Sequence, residues 1–180
     1  MKLKRSVCIF FASAAAAVST ATFGIPASAD TPSVRFESRM IQDAPTTVLI
    51  TPQWERQFIR WVDPYFSKDG YTPERRAKEV TARLNRYFSQ KDQFITHGVM
   101  NKQPVICTTN RFGNGCNNLI YTLKPNQDPA IVLEDIFALT DRNFAGTVLR
   151  ESSCTSYINI KAWVQTQGRG AYARQVCSAP

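Results

Sequence analysis

The chain predicts an α+β fold: a single domain on an antiparallel sheet of hairpin-linked strands, with two main helices packed on it. Short runs rich in valine, threonine and isoleucine alternate with turn residues, which is strand chemistry. Two other segments open with a capping residue and a proline, then carry apolar residues at three- and four-residue steps, which is helix chemistry. Beyond a leader-like N-terminus, four cysteines remain to link the folded part covalently.

Lys2, Lys4 and Arg5 precede an apolar run from Val7 to Val18, and Ala27-Ser28-Ala29 stands before Asp30, the layout of a secretory signal peptide. Small and polar residues interrupt the run, which falls short of the roughly 20 apolar residues that span a bilayer, so cleavage is expected rather than anchoring. Residues 1–29 then leave as the signal peptide and take Cys8 with them. Residues 30–180 form the mature domain, long enough to bury a core without metals. The chain has 22 basic and 14 acidic residues; the leader removes three of the former, leaving 19 against 14, a net charge of +5. Such an excess favours anionic surfaces but is no argument for nucleic-acid binding.

Cys107, Cys116, Cys154 and Cys177 are an even set in an exported chain, which reads as two disulfides with three pairings to choose from. Pairing Cys107 with Cys116 and Cys154 with Cys177 closes two local loops, each contributing about 3 kcal/mol in the chain-entropy model. Zinc is the competing reading. No cysteine pair has the close spacing of a ligand knuckle, however, and the sole histidine is His97, so neither metal nor cofactor is expected.

Val34 to Met40 and Thr46 to Thr51 read as strands, with Asp43-Ala44-Pro45 as the break, and Phe58 to Val62 as a third extended run. Asp63-Pro64 and Lys68-Asp69-Gly70 punctuate the approach to the first helix. Thr72 is its N-cap, Pro73 suits the first turn, and Glu74 sits where the helix dipole favours a carboxylate. The helix is expected to reach Ser89, with Ala77, Val80, Leu84 and Phe88 as its apolar stripe and Thr81 and Tyr87 on the borders. Phe94 to Met100, a turn at Asn101-Lys102, and Pro104 to Thr109 read as a hairpin. A type I′ turn there would force Lys102 to positive φ, at roughly 1 kcal/mol relative to glycine. Arg111 to Gly115 turns the chain back through Cys116 into a strand from Asn118 to Leu123. Asp128-Pro129 starts the second helix, expected to run near Asp141 and to be largely buried through Val132, Leu133, Ile136, Phe137 and Leu139. Tyr157 to Ile160 alternates like a strand, Gly168-Arg169-Gly170 turns, and Ala171 to Cys177 closes the domain as a last strand-like piece.

Several of these motifs occur in a distinctive order: Ile59-Arg60-Trp61-Val62, Tyr65-Phe66-Ser67, Gly70-Tyr71-Thr72-Pro73 with Arg75-Arg76, and Met100 to Cys107. Cys116 and Leu119-Ile120-Tyr121-Thr122-Leu123-Lys124-Pro125 complete the set. Together they resemble the circadian oscillating polypeptide family of cyanobacteria. That resemblance implies a small exported protein associated with membranes, located in the periplasm or the thylakoid lumen, and it implies no reaction. Ser38 and Ala77 stand where the family pattern carries cysteines, and the Cys154 and Cys177 pair lies outside the matched motifs.

No catalytic motif stands out, so the chain is not expected to be an enzyme. His97 is the only general base of the usual kind, and the alternative reading is a hydrolase or small-ligand-binding domain with a cleft near it. Glu134 and Asp135 point about 100° apart on a helix and cannot converge on one atom; Asp141 and Glu151 form the other carboxylate pair. Gly113-x-Gly115 and Gly168-x-Gly170 lack the strand-to-helix setting of a phosphate loop. The most functional-looking feature is a basic helix face, Arg75, Arg76, Lys78, Arg83 and Arg86, suited to an anionic membrane surface or a membrane protein complex. Glu79 is placed to pair with Arg75 and Arg83, as on an ordinary solvated helix. Core packing is the default reading for Trp61, Trp54 and Trp163, with exposure at a membrane interface or partner surface as the alternative for Trp54 and Trp163.

Overall fold

In the computed structural model, which describes residues 34–89, 93–139 and 154–177, strand chemistry produces two antiparallel sheets rather than one. The first, ordered β1-β2-β3, comprises β1 (Arg35–Ile41), β2 (Ala44–Ile50) and β3 (Glu55–Arg60). The second is ordered β6-β5-β4-β7-β8, from β4 (Phe94–Met100), β5 (Gln103–Thr109), β6 (Asn118–Thr122), β7 (Cys154–Asn159) and β8 (Ala173–Cys177). The break between β1 and β2 lies earlier than expected. Gln42 and Asp43 take φ of 47° and 56°, so Ile41 pairs with Ala44, and Ala44-Pro45 already belongs to the strand. The third strand is also displaced, running from Glu55 to Arg60, and a bulge after Thr47 shifts the β2–β3 register.

α1 (Pro73–Ser89) has the expected bounds, and the Thr72 hydroxyl accepts a 3.3 Å bond from the Arg75 N–H, the N-cap its sequence promised. Ala77, Val80, Thr81 and Leu84 are buried and Phe88 partly so, and the helix packs on β1, β2 and β6, bridging the two sheets. Full burial of a side chain such as Leu84 is worth about 1.5–3 kcal/mol. At the β4–β5 hairpin Asn101 and Lys102 both adopt positive φ, 51° and 62°, and Met100 pairs with Gln103: a type I′ turn with lysine in the second place.

α2 (Pro129–Phe137) stops four residues short of Asp141. Ala138 turns left-handed at φ 48°, and the N–H groups of Ala138 and Leu139 bond back to the carbonyls of Asp135 and Glu134, a Schellman termination. The helix is amphipathic rather than largely buried: Leu133 and Phe137 are inside, Val132, Ile136 and Leu139 are partly covered, and Ile131 is exposed. A third helix, α3 (Ile160–Gln165), replaces the end of the expected strand, since the Asn159 side chain accepts a 2.9 Å bond from the Ala162 N–H and caps it.

Among the described residues, one core joins both sheets and the three α-helices. Phe58 of β3 has its ring centroid 5.4 Å from Phe36 and Phe137 and 5.9 Å from Trp163. Trp163 is fully buried, and the partly buried Trp54 leans edge-on against it at 6.0 Å, so both pack on the core. Disulfides join Cys107 to Cys116 and Cys154 to Cys177, with Cα separations of 5.5 and 4.0 Å. Residues 1–29, expected to be a signal peptide, and the Asp141 and Glu151 pair lie outside the described residues.

Candidate functional site: a cleft of aromatic rings and arginines

The segment from Trp61 to Thr72 has little regular structure beyond a single 3-10 turn at Ser67–Asp69, and it lies against α1 and β6. Between them opens a cleft of about 330 Å³. Its back wall is Trp61, fixed from behind: the indole N–H donates to the Thr47 hydroxyl at 3.0 Å, and Thr47 in turn shares a hydrogen bond with Thr81 at 3.2 Å. Tyr121 meets Trp61 edge-on at 5.4 Å, and burial pushes the Tyr121 phenol well above its ordinary pKa. Phe66 and Tyr71 form the outer aromatic wall, with Leu119 and Val80 as aliphatic lining.

Two arginines expected on the open helix face are drawn into this cleft instead. Arg76 is half-buried, with its guanidinium 5.2 Å from the Trp61 ring and 5.8 Å from the Phe66 ring. It donates through Nη2 to the Asp63 carbonyl, while its Nε is buried without a hydrogen-bond partner among the described residues. Burial lowers the Arg76 pKa, opposed by the charge of Asp63, whose carboxylate is itself bonded to Lys124. Arg83 donates through Nη1 to the Ile120 carbonyl at 2.9 Å and approaches Glu79 at 3.4 Å. Glu79 holds Arg75 more closely, at 2.8 Å, and Arg75 lies over the Tyr71 ring at 4.4 Å. Of the five basic residues predicted as one surface, Arg75, Lys78 and Arg86 remain exposed. The separation follows from position: Arg76 and Arg83 are seven residues apart and flank the buried stripe, so they point to the same side of the helix.

His97 lies apart from this cleft, on β4, where its Nε2 accepts a 3.2 Å bond from the Ser156 N–H. Burial lowers its pKa, against the opposing charge of Asp128, and the neutral ring fits its acceptor role. Glu134 is half-buried and Asp135 exposed on α2. Gly113 and Gly168 both take positive φ in turns, not in loops that open a helix of phosphate-binding type. Among the described residues no group of three or more His, Cys, Asp or Glu is placed to hold a metal, and no helix is long and apolar enough to cross a membrane.

Sequence reasoning missed the cleft because its wall comes from three stretches: 61–72, α1 and β5–β6. The available signal was Trp61 with Phe66 and Tyr71 shortly before an Arg-Arg pair, a concentration of rings and guanidinium groups that core packing alone does not require.

The fold and its two bridges define a disulfide-stapled α+β protein suited to an oxidising compartment. The family model described as Circadian oscillating protein COP23 matches residues 35–165, and the chain belongs to that family. None of the curated proteins and none of the solved structures matches it.

Proposed function

We propose that this protein is exported, acts without catalysis and associates peripherally with an anionic membrane surface. The carrying observation is the ring of exposed apolar and aromatic residues beside cations at the start of α1. Val62, Tyr65 and Tyr71 are exposed by 63%, 44% and 41%. Lys68 and Lys124 lie within 6 Å of the Tyr65 ring, at 5.9 and 5.7 Å, and Arg75 covers Tyr71. Rings with a wet polar tip and flanking cations suit the headgroup layer, where each well-placed cation contributes about 1 kcal/mol. The leader-like N-terminus and the two disulfides support an exported location, periplasm or thylakoid lumen.

Co-sedimentation with phosphatidylcholine vesicles, with and without phosphatidylglycerol, tests this reading. Binding is expected only with the anionic lipid. It should weaken with added salt and fall about tenfold or more in a Lys68→Glu/Lys78→Glu/Arg86→Glu variant. Equal binding by that variant sinks the mechanism; retention on native membranes but not on vesicles assigns the contact to a membrane protein complex.

A further inference from the structure

Each sheet has an edge strand whose backbone is met by a side chain from α1. At β6, Arg83 donates to the Ile120 carbonyl. At β1 the contact is two-sided: the Asn85 side chain accepts a 2.8 Å bond from the Phe36 N–H and donates a 2.8 Å bond to the Phe36 carbonyl. A neighbouring antiparallel strand would make that same pair of bonds, so one side chain stands in for a strand at this position. Backbone groups alternate sides along a strand, so Ser38 and Met40 turn theirs the same way as Phe36, while those of Arg35, Glu37 and Arg39 face β2. Among the described residues β1 pairs only with β2. Ser38 is exposed and Met40 is 62% exposed, so the edge continues open beyond the asparagine.

The sequence of that edge fits a second copy of itself. Set antiparallel about a two-fold axis through Ser38, residues 36, 38 and 40 face residues 40, 38 and 36 of the other copy, and these are the positions whose backbone groups point outward. The register also sets Glu37 opposite Arg39 twice, at the non-hydrogen-bonded positions where side chains come closest. Sliding one copy by two residues puts Glu37 against Glu37 or Arg39 against Arg39, so charge selects the register centred on Ser38. Glu37 and Arg39 already pair along their own strand at 2.8 Å with both side chains half-exposed, and exchanging partners across the axis loses little. The register needs the Phe36 amide and carbonyl, and Asn85 occupies both. We infer that Asn85 is a strand-mimicking cap that keeps β1 from pairing with the β1 of a second copy, the partner to which this edge is complementary.

Sedimentation velocity of the purified, disulfide-bonded protein, without lipid, tests this. Asn85→Ala, a favourable change for a helix interior, should dimerise at least about tenfold more tightly than the unaltered protein. Assembly should stop at two copies, because a two-fold contact consumes both edges. In the Asn85→Ala background, Ser38→Pro removes the central N–H and should restore the monomer, and Glu37→Arg should weaken the dimer about tenfold. Amide exchange reads the cap in the unaltered protein: the Phe36 N–H should be protected while those of Ser38 and Met40 exchange fast. The proposal is overturned if Asn85→Ala stays as monomeric as the unaltered protein, or if its association runs past dimers or survives Ser38→Pro. A Phe36 N–H that exchanges as fast as that of Ser38 overturns it as well.

Discussion

At Gly98 a missing side chain makes room for a covalent link. A Cβ built there would stand 2.9 Å from Cys116 Sγ, closer than such atoms approach, and that sulfur is fixed by its bond to Cys107. Gly98→Ala therefore has to displace the bridge or the β4 backbone, at about 1–3 kcal/mol, as overpacking elsewhere does. Denaturant midpoints check this as a cycle: in a Cys107→Ala/Cys116→Ala background the same substitution should cost less than half as much. An identical cost in both backgrounds would show that the glycine is needed for another reason. The arginines of α1 teach a related lesson. Arg75 and Arg76 are neighbours in sequence, yet one lies in solvent against Glu79 and Tyr71 and the other is wedged between Trp61 and Phe66. Counting cations along a helix therefore overstates the charge it shows to a surface.

Among the elements, β8 depends most on a staple. Among the described residues it pairs only with β7, at the edge of the five-stranded sheet, and the Cys154–Cys177 bridge joins the first residue of β7 to the last of β8. Its sequence separation of 23 corresponds to about 3 kcal/mol of restricted unfolded-chain entropy. A Cys154→Ala/Cys177→Ala variant is expected to lose about that much stability. Hydrogen exchange should rise first in residues 173–177 while β4 and β5 stay protected. Uniform acceleration across the sheet would contradict a locally acting bridge. α2 and α3 show how caps decide bounds: Asn159 starts a helix where alternation suggested strand, and the left-handed Ala138 ends one early.

Across the whole molecule, two sheets share a single interior. Phe58, from the three-stranded sheet, touches Phe36, Phe137 and Trp163 and so links its own sheet to α2 and α3. Phe58→Ala should cost about 3–5 kcal/mol, and the unfolding curves from tryptophan emission and far-ultraviolet dichroism should shift together as one transition. Separation of the two curves would mean that the sheets unfold as independent units. The proposed export and membrane contact also belong to this scale, since they would involve net charge, the leader-like N-terminus and the exterior together rather than any one side chain.

Local chemistry was legible from the residues alone: the Thr72-Pro73 and Asp128-Pro129 helix starts, the Asn101-Lys102 turn, the four cysteines as two bridges, and the α+β class with its family motifs. These depend on contacts a few residues apart, on short loops, or on order along the chain. Tertiary structure alone decided that the strands form two sheets and that Arg76 and Arg83 turn inward beside Trp61 and Tyr121. Each of those outcomes depends on segments tens of residues apart meeting in space. Helical and strand periodicity show which face of an element is covered, but not what covers it.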